Sequence, residues 1–106
     1  LDSSEIGKEG IKELQFIFKN TEILKMKNLS LKFDITLARG IDYYTGCIIE
    51  VKQMDVNIGS IAGGGRYDNL TSMFGLDNIS GVGISFGIDR IYIVMEELDC
   101  FPHRIL

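Results

Sequence analysis

Apolar residues recur at helical spacing near the start of the chain and at every second position in its middle. Over residues 3 to 19, Ile6, Gly10, Leu14, Ile17 and Phe18 form a rough stripe, which predicts a helix. Ser3 or Ser4 suits its N-cap, and Glu5 places a negative charge in the first turn. Gly7 and Gly10 weaken it, each by roughly 1 kcal/mol against alanine. Asn20-Thr21 interrupts the pattern, and "TEILKMKN" predicts a short second helix capped by Thr21. From Leu29 the period becomes two. Leu29, Leu31, Phe33, Ile35 and Leu37 alternate with polar or small residues, as in a half-buried strand.

Arg39 to Gly46 breaks the alternation, and "CIIEV" resumes as a short β-branched strand. "DVN" reads as a turn. A further strand covers Ser60 to Gly63, and its glycines would let a ligand or a second backbone come close. Asp68 is placed to cap a short helix over 69 to 74 that Gly75 ends. "VGISF", residues 82 to 86, is a buried strand, Gly87 turns the chain, and residues 88 to 98 form a helix. Ile88, Ile91, Tyr92, Met95 and Leu98 make its inner face, and Pro102 lies past its end. Short links between strands require antiparallel pairing. The expected architecture is therefore α+β: a mainly antiparallel β-sheet with flanking helices, with residues 1-27 a helical segment and 28-106 the sheet-bearing part.

Composition narrows the chemistry. At 106 residues, 45% hydrophobic and 25% charged, the chain is an ordinary globular size and mixture. Its net charge of -4 argues against broad electrostatic binding of nucleic acid by this piece. Cys47 and Cys100 stand far apart, which fits a reducing, cytoplasmic setting without a disulfide framework. With His103 the single histidine and no CxxC pair, no zinc ligand set is present. No apolar run reaches the length of a membrane span. The chain opens on Leu1 inside a helical pattern and stops just after another, so both ends read as cuts in a longer protein.

Three stretches carry candidate chemistry. "GVGISFGIDR" is not a dinucleotide fingerprint, because Phe86 stands where the third glycine is required. Arg90 is either a solvated first-turn residue or the partner of an anion, since a cation at a helix start opposes the dipole. In "AGGGRYD" the glycines serve close strand packing or leave a concave surface for a flat ligand, and Arg66 and Tyr67 alternate to opposite faces. In "ARGIDYYTG", Arg39 can pair with Asp42, and Tyr43 and Tyr44 can be rim residues. The same set also suits a phosphate or carboxylate beside a polar ring, because a phenol both donates and accepts.

In order and spacing these stretches resemble the histidyl-tRNA synthetase family of class II aminoacyl-tRNA synthetases. "LARGIDYYTG" is similar to its first histidine motif, "AGGGRYDNL" to its second and "GVGISFGIDR" to class II motif 3. The likeness runs from about Leu29 to Glu97, with residues 1 to 27 similar in position to the end of a helical insertion. It implies that the chain is the C-terminal part of a catalytic domain that activates histidine with ATP and transfers it to tRNA(His). It implies Arg39 as the catalytic arginine on the α-phosphate and the substrate carboxylate. Tyr43, Tyr44 and Tyr67 would line the histidine pocket, with Gly63, Gly64 and Gly65 as its floor. Arg90 and Gly87 would meet the nucleotide, and Mg2+ would accompany ATP without ligands evident here. The resemblance implies a homodimeric parent and leaves motifs 1 and 2 outside this chain, so the fragment alone is expected to be inactive. Two relatives of different function remain as alternatives: the histidine-sensing regulatory subunit of ATP phosphoribosyltransferase, and a synthetase-like regulatory domain that binds tRNA.

Overall fold

The structure, a computed structural model, describes residues 5 to 102. The expected caps Ser3 and Ser4, and His103, lie outside the described residues. Helix α1 spans Glu5–Ile23. Strands β1 (Ile48–Lys52), β2 (Ser60–Tyr67) and β3 (Gly81–Phe86) follow, and helix α2 spans Ile88–Glu97. A single 3-10 turn, Thr71–Phe74, lies between β2 and β3. The strands form one antiparallel sheet in the order β1-β2-β3. The α+β architecture with antiparallel pairing and flanking helices is as expected.

Three local expectations fail, each for a physical reason. The break at Asn20-Thr21 does not occur, and α1 runs through it as one helix. The Asn20 amide donates to the Phe16 carbonyl at 2.8 Å and the Thr21 hydroxyl to the Ile17 carbonyl at 2.7 Å. Both side chains bond back one turn and stop competing for the local backbone. The chain instead leaves the helix at Lys25 and Asn28, both with positive φ.

The alternating segment 29 to 37 forms no strand. Alternation prepares a segment for pairing, but a strand exists only where a partner edge accepts its hydrogen bonds. Here the Asp34 carboxylate takes the Thr36 N–H at 2.8 Å and closes a tight turn instead. Leu29, Leu31, Phe33 and Ile35 all remain exposed. The sheet therefore has three strands, where the sequence pattern predicts four. Asp68 caps no helix either. The position before the 3-10 turn is Leu70, and the Asp68 side chain is engaged elsewhere. Gly75 ends that turn as expected, in the left-handed region at φ 78°.

The core is thin. Among the described residues only Ala62, on the central strand, and Val94, on α2, are buried apolar residues, each 6% exposed. Phe16, Met73, Phe74 and Ile88 are each more than two-thirds exposed. β3, expected to be buried, leaves Val82, Ile84 and Phe86 exposed, and on α2 it is Val94, outside the expected inner face, that is buried. The radius of gyration is 17.0 Å, against roughly 13 Å for a compact domain of this length. So little burial cannot offset the conformational entropy of ordering the chain. The isolated 106-residue chain is therefore expected to melt without a sharp cooperative transition and to bind a hydrophobic dye such as ANS. Calorimetry and dye fluorescence check this; a sharp melting peak without dye binding contradicts it.

Candidate functional site

β2 is the platform of the site. Its register pairs Gly63 with Glu50 and Ser85, Gly65 with Ile48 and Gly83, and Tyr67 with Gly81. Side chains at paired and alternate positions share a face. One face of the sheet therefore carries Gly63, Gly65 and Tyr67 of β2, Ile48 and Glu50 of β1, and Gly81 and Gly83 of β3. Ala62, Gly64 and Arg66 point the other way.

The glycines of the first face lie under long side chains. A methyl on Gly63 would overlap the Arg39 guanidinium, whose Nε lies 2.6 Å from that position. A methyl on Gly65 would press on the Tyr44 ring at 2.8 Å. The Tyr67 ring covers Gly81, and its hydroxyl lies 3.0 Å from where a methyl on Gly83 would sit. Arg39, Tyr44 and Tyr67 thus reach the same side of the sheet, and Tyr43 packs against Tyr44 in a tilted pair with ring centroids 4.5 Å apart. Gly64 differs. A methyl there would overlap the Gly83 carbonyl of β3 and stand 2.8 Å from the Ile84 Cα, so this glycine serves close approach of two strands. It lies beneath none of the four side chains.

The loop between Arg39 and β1 is built to hold its tyrosines. Gly40 has φ 61°, a left-handed conformation that glycine adopts without strain. Its carbonyl accepts the N–H of Tyr43 at 3.2 Å and of Tyr44 at 3.0 Å, which closes the turn that carries both rings. The far end of the loop is pinned at Thr45. Its N–H donates to the Arg66 carbonyl at 2.9 Å, its hydroxyl donates to the Asp68 carboxylate at 3.0 Å, and the same oxygen accepts the Asp68 N–H at 3.0 Å.

Charges follow from these contacts. Donation by the Ser80 hydroxyl, then by Arg66 and Thr45, holds the Asp68 carboxyl below its usual range. Arg66, on the opposite face, lies 3.1 Å from Asp68 and 3.5 Å from Glu13 of α1, which ties the helix to the sheet. The Tyr44 phenol is pushed above its ordinary value by loss of water around it and by the Tyr43 hydroxyl. It stays neutral across the physiological range and can donate and accept.

Arg39 does not pair with Asp42. Its Nε faces the Glu50 carboxylate at 3.4 Å, a long contact closer to an ion pair than to a tight hydrogen bond. Arg90 sits in the first turn of α2, and one of its terminal nitrogens donates to the Ser60 carbonyl at 2.8 Å. An open concavity of about 390 Å³ lies at this helix start, lined by Phe86, Gly87, Ile88, Asp89 and Arg90. Gly87 has φ -82°, which any residue can adopt, so its glycine is explained by space: a methyl there would stand 3.3 Å from the Ile61 carbonyl.

Glu50, Ser60 and Thr45 escaped the sequence reading, which gave Asp68 only a capping role. Glu50 left one signal, a single acid inside the apolar run "CIIEV". Its pairing opposite Gly63 depends on the register, which the run alone does not specify.

Known proteins resemble this chain closely. The family model for histidyl-tRNA synthetase matches residues 1 to 91. A histidine–tRNA ligase of Cytophaga hutchinsonii is 59% identical over 104 residues, covering 98% of this chain and 23% of the relative. One of Phocaeicola vulgatus is 57% identical over 102 residues, covering 96% and 22%, respectively. One of Flavobacterium johnsoniae is 57% identical over 106 residues, covering 99% and 22%. The chain spans less than a quarter of the length of these relatives.

Proposed function

We propose, for a chain that belongs to the histidyl-tRNA synthetase family, that it forms the C-terminal part of a class II catalytic domain. The complete protein activates histidine with ATP and transfers it to tRNA(His). The observation that carries this reading is the convergence of Arg39, Tyr43, Tyr44 and Tyr67 on one glycine-floored face of the sheet. That arrangement supports recognition of an imidazole beside a reacting carboxylate.

In this reading, the histidine carboxylate attacks the α-phosphorus of ATP. A new carboxyl–phosphorus bond forms, the bond to the bridging oxygen breaks, and pyrophosphate leaves. Negative charge accumulates on the α-phosphoryl oxygens. Arg39 offers a permanently charged planar fork against that charge, held close because Gly63 has no side chain. Tyr43, Tyr44 and Tyr67 supply hydroxyls, able to donate and to accept, for the ring nitrogens of the substrate. An apolar amino acid would leave those groups unpaired, which is the stronger source of rejection. Arg90 and Gly87, at the concavity that opens α2, are assigned to the nucleotide. Mg2+ would enter on the ATP phosphates; among the described residues no cluster of three metal-binding side chains is assigned to it. Helix α1 is assigned to the end of a helical insertion, and the parent to a homodimer.

The relatives named above are ligases, and every residue carried over from the motifs is present, which favours charging over a histidine-sensing role. Histidine-dependent exchange of pyrophosphate into ATP by the full-length protein is the test. A full-length protein that binds histidine without catalysing this exchange would support the regulatory alternative instead.

The pin at Thr45 gives a more local prediction. Thr45→Val keeps the shape and removes the hydroxyl shared with Asp68. A net hydrogen bond contributes roughly 1 kcal/mol, so the KM for histidine is expected to rise about fivefold with kcat little changed. An unchanged KM in the exchange assay would mean the tyrosine loop does not depend on this pin.

A further inference from the structure

Two arginines assigned to the reaction come from opposite ends of this chain's site, and one acid joins them. Glu50 lies on β1 directly opposite Gly63, the residue under the Arg39 guanidinium. One of its oxygens faces Arg39 Nε at 3.4 Å, and the other accepts the Ser60 hydroxyl at 2.8 Å. The carbonyl of the same serine accepts Arg90 at 2.8 Å. The result is a continuous chain of contacts: Arg39, Glu50, Ser60, Arg90. The side chains of Arg39 and Glu50 are 36% and 20% exposed, so the acid is the more enclosed member.

This placement has an electrostatic cost. A carboxylate beside a site proposed to receive the triphosphate of ATP repels that substrate, a cost that a role in positioning Arg39 would offset. Glu50 meets the Nε edge of the guanidinium, and among the described residues the two terminal nitrogens make no hydrogen bond. Those nitrogens keep their donors for a planar, two-pronged approach to phosphate or carboxylate oxygens. Without a partner on the Nε edge, a side chain with several rotatable bonds would spread over many rotamers.

We propose that Glu50, locked by Ser60, is a positioning residue that presents the terminal nitrogens of Arg39 to the reacting phosphoryl group. It touches no substrate and acts through Arg39. The inference rests on the reading of the site given above. It predicts that Glu50 governs the rate of adenylate formation and not the binding of histidine.

The test uses the full-length protein and the isosteric change Glu50→Gln, which preserves volume and the Ser60 contact while removing the charge. Loss of a partner that orients a catalytic group costs roughly 10- to 100-fold in well-studied sites. The single-turnover rate of adenylate formation is expected to fall at least about tenfold, with the KM for histidine within about twofold of wild type and the melting temperature unchanged. Repeating the change in an Arg39→Ala background separates the roles: if Glu50 works through Arg39, it then has almost no further effect. A Glu50→Gln rate within twofold of wild type overturns the proposal, as does a loss that multiplies undiminished in the Arg39→Ala background. Either result in an active wild type leaves the function reading intact. A wild type without histidine-dependent exchange overturns that reading first, and this inference with it.

Discussion

On the proposed function, Arg39→Ala in the full-length protein is expected to slow histidyl-adenylate formation by two to three orders of magnitude. Removing one donor that stabilises charge developing in a transition state costs about 10²- to 10³-fold in other enzymes. Arg39 carries a full charge and a fork of donors, so its effect belongs at the upper end of that range. Arg39→Lys is expected to recover only a small part of it. An ammonium is a point charge and cannot span two oxygens in one plane. The expected signature is a fall in kcat larger than any rise in the KM for histidine, because the interaction strengthens as charge builds on the phosphoryl oxygens. Pre-steady-state measurement of adenylate formation reads this directly. A variant whose entire defect lies in histidine KM would move Arg39 from charge stabilisation to ground-state binding.

The second large effect separates two adjacent glycines. Gly63→Ala and Gly64→Ala add the same methyl one position apart, on opposite faces of β2. At Gly63 the methyl meets the end of a flexible side chain, the Arg39 guanidinium. The arginine can swing aside, so the fold should survive with a melting temperature near wild type. On the role proposed for Arg39, the displaced guanidinium would miss the phosphoryl group, and a misplacement of about 1 Å can cost roughly 100-fold in rate. At Gly64 the methyl meets backbone, the Gly83 carbonyl and the Ile84 Cα of β3. Backbone cannot rotate away, so the β2–β3 ladder must spread. Overpacking of this kind costs typically 1–3 kcal/mol and occasionally more, which should appear as a lowered melting temperature or insoluble protein. Thermal melts and exchange kinetics on both variants decide it. Equal destabilisation by the two would mean that the sheet does not face the way its register implies.

Much of this was legible in the chain. Apolar and β-branched runs and glycine punctuation located β1, β2 and β3, whereas period-two alternation marked a segment that forms no strand. Gly87 and the 3.6-residue spacing from Ile88 located α2. The motif order around Arg39, Tyr43, Tyr44, Tyr67 and Arg90 pointed to the family before any geometry was considered. Misreadings arose where local preference and long-range pairing disagree. Asn20-Thr21 looks like a break until its side chains bond back to α1. Residues 29 to 37 look like a strand, yet they pair with neither outer strand of the sheet, β1 or β3, and turn locally at Asp34.

The amino-acid sequence by itself determined which chemical groups this protein brings to the site, their order, and the conformations its glycines permit, because these depend on residue identity and near neighbours. Only the tertiary structure decided which groups share a face. Strand register, a property of pairing between distant segments, set Glu50 opposite Gly63 and turned Gly64 away from the site. One residue of slip would send every side chain of β2 to the other face, and no local pattern in the chain records which register the strands adopt.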